Sequence, residues 1–118
     1  EAATNGSLMP ATVGVSGSWD VAAVRTDPAV VARSVLQQLS EQHIWIHLDL
    51  DVLDESVLPA TDYLSPGGLD WPELAALLRP LVSSAQFCGM SVACLNPDKD
   101  PNGRSTQQVT DLLVDVLE

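Results

Sequence analysis

One stretch constrains the fold of this chain more than any other: His43-Ile44-Trp45-Ile46-His47-Leu48-Asp49-Leu50-Asp51-Val52-Leu53-Asp54. It starts as a β-type apolar run and ends in carboxylates. Alternate side chains of an extended strand share a face. Ile44, Ile46, Leu48 and Leu50 are therefore expected on one side, and Trp45, His47, Asp49 and Asp51 on the other. Carboxylates set side by side and removed from water are costly unless a cation, a proton or water relieves them. Asp49 and Asp51 are thus candidate metal ligands, and their hard oxygen donors suit Mn²⁺, Mg²⁺ or Ca²⁺.

The elements around this strand follow from local signals. Residues 1–26 are rich in Gly, Ser, Ala and Thr and read as an irregular lead-in, with a weak strand signal at Thr12–Val15. Asp27-Pro28 is a helix start, an Asp cap followed by Pro at the first helical position. Val31, Val35 and Leu39 then mark one apolar stripe up to about Ser40. After Asp54, Pro59, Pro66, Gly67 and Gly68 indicate a long loop at the carboxyl edge of the strand. A second helix opens at Asp70, with Glu73 completing a capping box and Leu69 with Leu74 a hydrophobic staple. Leu74, Leu77, Leu78 and Leu81 form its stripe, and Pro80 is expected to kink or shorten its last turn.

A second strand is expected over about Gln86 to Leu95, broken by Asn96-Pro97-Asp98. Ser105 with Gln108 suggests a further capping box, leading into a helix striped by Val109, Leu112, Leu113, Val116 and Leu117. Helix, strand, helix, strand, helix implies an α/β fold with parallel strands joined by right-handed crossovers. Two strands make a poor independent sheet, so residues 27–118 are expected to be part of a larger domain. The chain also does not begin with Met, as a cut or processed piece would not.

Net charge narrows the partners. At −11, the chain lacks the basic surface that non-specific nucleic-acid binding needs. No apolar run approaches the roughly 20 residues of a membrane span, and no signal segment opens the chain. Cys88 and Cys94, if on one strand, stand about 20 Å apart, beyond disulfide reach. Two buried free thiols are expected, as suits a reducing cytoplasm.

Two familiar carboxylate patterns fit this stretch poorly. An EF-hand loop starting at Asp49 fails, because Asp54 and Ala60 stand where Gly and Glu belong. A phosphatase of the haloacid-dehalogenase type also uses a strand ending in Asp-x-Asp, but its following turn matches poorly near Leu53. A purely structural role is the plain alternative: strand-end acids often cap the next turn or pair with Arg.

The combined order of motifs is more specific. His47-Leu48-Asp49-Leu50-Asp51-Val52-Leu53-Asp54, then Pro59-Ala60-Thr61, then Pro66-Gly67-Gly68-Leu69 resembles the arginase/agmatinase (ureohydrolase) signature. That signature reads Ser-x-Asp-x-Asp-x-x-Asp-Pro, a Pro-containing loop, then Gly-Gly-Leu into a helix. Gly89-Met90-Ser91-Val92-Ala93-Cys94-Leu95-Asn96-Pro97 is similar to the family's Gly-x-Asp-x-x-Glu-x-Asn-Pro. The resemblance spans about Asp27 to Glu118.

It implies a three-layer α/β/α parallel-sheet fold, present here as its C-terminal part. It also implies a binuclear Mn²⁺ site that activates water as hydroxide for attack on a guanidino or related amidino or formimino carbon. Asp49 and Asp51 match a family pair of metal ligands, with His47 and Asp54 as candidate supporting residues beside the site. The complementary His-bearing motifs do not occur here, so the missing N-terminal half of the domain is an expected partner and these residues alone are expected to be inactive. Homo-oligomerisation is implied by the same resemblance, whereas the cytoplasmic location rests on the free thiols.

Several positions depart from the family pattern. Asp62-Tyr63-Leu64 replaces its Gly-Thr-Pro, Glu55 stands in place of Pro, His47 in place of Ser, and Ser91 in place of Asp. Cys94 occupies the position of the Glu that contacts the substrate guanidinium, and a thiol cannot supply that bidentate anionic contact. The alternative reading is therefore a ureohydrolase-like binding or assembly module that has lost the full metal site.

Overall fold

The computed structural model describes residues 17–62 and 66–118. Its elements in chain order are α1 (Val21–Thr26), α2 (Pro28–Gln38), β1 (Ile44–Asp49), α3 (Trp71–Val82), β2 (Phe87–Ala93) and α4 (Arg104–Leu117). Short 3-10 turns follow each strand, at Leu50–Val52 and Pro97–Lys99. Among the described residues the sheet has two strands, β1 and β2, paired in parallel. This is the α/β arrangement that alternating helices and strands imply.

Register places the site. Trp45 stands opposite Gly89, His47 opposite Ser91, and Asp49 opposite Ala93 on the last rung. Ile44 and Leu48 are buried with Ile46 half-buried between them, while Trp45, His47 and Asp49 are exposed on the other face. The core beneath the strand gathers Leu48, Leu50, Leu53, Leu58, Leu69 and Leu74, joined by Val109 and Leu112 from α4.

The caps account for most helix boundaries. Asp27 accepts from Val30 N at 3.2 Å and Pro28 opens α2. The capping box of α3 is reciprocal: Asp70 accepts from Glu73 N at 2.9 Å, and Glu73 accepts from Asp70 N at 2.9 Å. The helix runs through Pro80 to Val82.

Four expectations need correction. The strand does not continue to Asp51, because Asp49 accepts from Asp51 N at 2.9 Å and folds the next residues into a 3-10 turn. The irregular lead-in contains α1, capped by Asp20 and anchored by Arg25, which donates to Gly68 O and pairs with Glu73 at 3.1 Å. Ser105 does not cap α4; Asp100 reaches forward to accept from Ser105 N and Thr106 N, each at 2.9 Å. The cysteines are free, but both are exposed instead of buried. The weak strand at Thr12–Val15 lies outside the described residues, as do Tyr63 and Leu64.

Candidate metal centre

The chain leaves β1 at Asp49 and β2 at Ala93 on the same rung, so the residues that follow both strands emerge at one carboxyl edge. Parallel α/β sheets place their sites at that edge. Asp49, Asp51 and Cys94 meet there, each with one ligand-type atom within 4.8 Å of the others. Asp51 reaches the cluster through the 3-10 turn, not by strand alternation. Cys94 reaches it by turning the backbone into the left-handed region, at φ 75°, which is uncommon for a residue other than glycine.

The electrostatics of the cluster favour a cation. Among the described residues Asp51 Oδ1 is sealed from solvent without a hydrogen-bond partner. Burial first, and then the charge of Asp49, push the Asp51 carboxyl above its ordinary range, while a Thr61 hydrogen bond acts the other way. A hydrogen bond to Asp49, then burial and the neighbouring carboxylates, push the Cys94 thiol up. An orphaned buried carboxylate oxygen is expensive, and a divalent ion supplies the missing partner. The donors present therefore fit a metal ion.

The two supporting candidates are held elsewhere. His47 shares the face of Asp49, but its Nδ1 lies 2.7 Å from Ser91 Oγ, which also accepts from Trp45 Nε1 at 3.3 Å. His47 is outside the donor cluster. Asp54 turns its carboxylate into the following loop, accepting from Ser56 N at 2.9 Å, from the Ser56 hydroxyl and from Gly67 N at 2.7 Å. Those bonds, Ser56 foremost, lower its carboxyl to about 2.

Motifs alone do not reveal the residues that tie down the wall of the site. Thr61 is only 2% exposed beside Asp51. Its carbonyl accepts from Lys99 Nζ at 3.0 Å, and Asp62 accepts from Asn96 Nδ2 at 2.7 Å. Asn96 N in turn donates to Ala60 O at 2.7 Å. The Asn96-Pro97 break is legible as the end of a strand. Its role as a clamp on residues 60–62 depends on contacts far apart in sequence.

This fold has counterparts among known proteins. A family model described as "Arginase family" matches residues 11–117. An arginase from Brucella melitensis is 30% identical over 91 residues, covering 75% of this chain and 30% of the relative. An N(omega)-hydroxy-L-arginine amidinohydrolase from Streptomyces lavendulae is 32% identical over 94 residues, covering 78% of this chain and 33% of the relative. The crystal structure of Helicobacter pylori arginase superposes with a TM-score of 0.75 at 26% identity, covering 84% of this chain and 34% of that one. The chain spans about a third of the length of the relatives it matches.

Proposed function

Because this chain belongs to the arginase family, we propose that it carries one carboxylate half of the metal site of a hydrolase of linear amidino or guanidino C–N bonds. The observation that supports this most directly is the meeting of Asp49 and Asp51 at the sheet's carboxyl edge, with Asp51 Oδ1 buried and unpartnered among the described residues. Held by Asp49 and Asp51 together with ligands from outside these residues, a divalent cation pair, Mn²⁺ by resemblance, would supply Lewis-acid activation of water.

The chain's own residues hold and orient. Asp49 is fixed by the Asp51 amide, Asp51 is braced by Thr61, and the segment from Ala60 to Asp62 is pinned from the β2 side by Asn96 and Lys99. Cys94 cannot clamp a guanidinium with two anionic oxygens, so the substrate's cationic end, guanidino or formimino, is held by other groups. The remaining ligands belong to sequence outside these residues, and the full-length protein is a homo-oligomer by the same resemblance.

Metal analysis of the full-length protein tests this reading. The expected result is bound divalent cation that Asp49→Asn and Asp51→Asn each remove, with activity lost beyond the roughly hundredfold that even outer partners of a ligand can cost. A full-length protein that binds no cation and is indifferent to both changes sinks the hydrolase reading. That outcome leaves the second reading, a non-catalytic binding module, which the replacement of Glu by Cys94 and of Asp by Ser91 favours.

A further inference from the structure

Cys94 lies among the carboxylates, and its position suggests a role that the family's Glu does not have. We propose that Cys94 is itself a metal ligand, joining Asp49 and Asp51 in a mixed oxygen–sulfur set that takes a thiophilic divalent cation of the zinc or cobalt kind in preference to Mn²⁺. This rests on the metal-site reading above and changes which ion that site selects.

Three observations carry it. The Cys94 sulfur and one oxygen from each aspartate lie within 4.8 Å of one another. Donors that bind one tetrahedral ion at about 2.0–2.2 Å for oxygen and about 2.3 Å for sulfur stand roughly 3.5 Å apart, so the three side chains must draw together by up to roughly 1 Å to meet on a single ion. Asp51 Oδ1 is enclosed with no hydrogen-bond partner among the described residues, a buried acceptor whose cost a bound cation would relieve. Among the described residues Cys94 is the sulfur donor of this cluster, and His47 does not join it, being engaged with Ser91 two rungs back.

The chemistry follows from donor type. Carboxylate oxygens alone suit hard cations, whereas a thiolate draws the preference toward zinc-like ions. Coordination forms a metal–sulfur bond, and the thiol proton leaves to solvent as the ion arrives.

The test is a Co²⁺ titration of the full-length protein in a Cys88→Ser background, which removes the other thiol of these 118 residues. The expected result is a near-ultraviolet sulfur-to-cobalt charge-transfer band that saturates together with the visible ligand-field bands. Cys94→Ser should abolish the charge-transfer band, keep the visible bands, and weaken Zn²⁺ binding by at least roughly tenfold, the scale at which even outer partners of a ligand are felt. Visible bands without charge transfer in the Cys88→Ser protein overturn the proposal and leave the carboxylate site standing. No cobalt bands of either kind overturn both. The overturning spectrum belongs to a protein with Cys94 intact, so the proposal can fail whether or not Cys94→Ser folds.

Discussion

At Asp54 a single carboxylate accepts from Ser56 N, the Ser56 hydroxyl and Gly67 N, closing the two ends of the loop against each other. These bonds to the charged form hold its carboxyl at about 2, below the ordinary value of about 3.9. Since the folded value is the lower one, the stabilisation is fully present above the ordinary value and is lost as pH falls through about 2. Asp54→Asn should therefore flatten the acid limb of a urea-midpoint profile measured from about pH 5 to about pH 2. An unchanged acid limb would show that the three bonds are not what holds the loop.

The Gly67-Gly68 pair on the far side of that loop has two separate reasons to be glycine. Gly67 has φ 79°, in the left-handed region that glycine enters without steric cost. Gly68 lies against backbone, where a Cβ would stand 2.5 Å from Asp54 N and 2.7 Å from Val52 O. Gly68→Ala must push apart the bridge between Leu53 and Leu69, and it should destabilise the protein by more than Gly67→Ala. Comparing the two thermal midpoints checks this ordering.

Among the elements, the contrast between α3 and α4 shows what sequence reading can reach. The α3 cap is legible because Asp70 and Glu73 are three residues apart and need no information beyond the local chain. Asp70→Ala should cost about 1 kcal/mol, readable as a drop in thermal midpoint. The α4 cap is not, because its acceptor, Asp100, lies five and six residues before the amides it serves. The chain between them turns through Gly103 at φ 71°. Asp100→Ala should thus lower the thermal midpoint more than removal of the Ser105 hydroxyl.

The helix α1 is illegible for a different reason. At six residues it is too short to stand by propensity, and the contacts from Arg25 to Gly68 and Glu73 are tertiary. The early end of β1 is equally hidden, since alternation carries no sign that the Asp49 side chain will capture its neighbour's amide.

Across the molecule, the parallel order and the leucine core follow from periodicity, and the motif marks Asp49 and Asp51, although a 3-10 turn and not strand alternation brings them together. The approach of Cys94 does not, because it requires knowing the register between strands. Leu50 sits between the two aspartates and is 0% exposed, at the centre of that core. Leu50→Ala should cost roughly 2–5 kcal/mol, a large share of the roughly 5–15 kcal/mol typical of a whole domain. Denaturant unfolding reads this directly, and a loss under about 1 kcal/mol would mean that the core collapses around the gap. No helix among the described residues is long and apolar enough to cross a membrane.

The shared last rung of β1 and β2 also bears on how such a protein changes over generations. The three donors take their coordinates from Asp49 and Ala93 standing opposite each other. Ala60, Thr61 and Asp62 supply none of them and form the adjoining wall. In the proposed site, a substitution at Asp62 reshapes the wall beside the cluster, whereas one at Thr61 also frees Asp51 from its hydrogen bond. In the proposed enzyme the residues that hold the ion and those that shape the wall would then be neighbouring parts of the chain joined at one contact, Thr61 against Asp51, so Asp62 is freer to drift than Thr61.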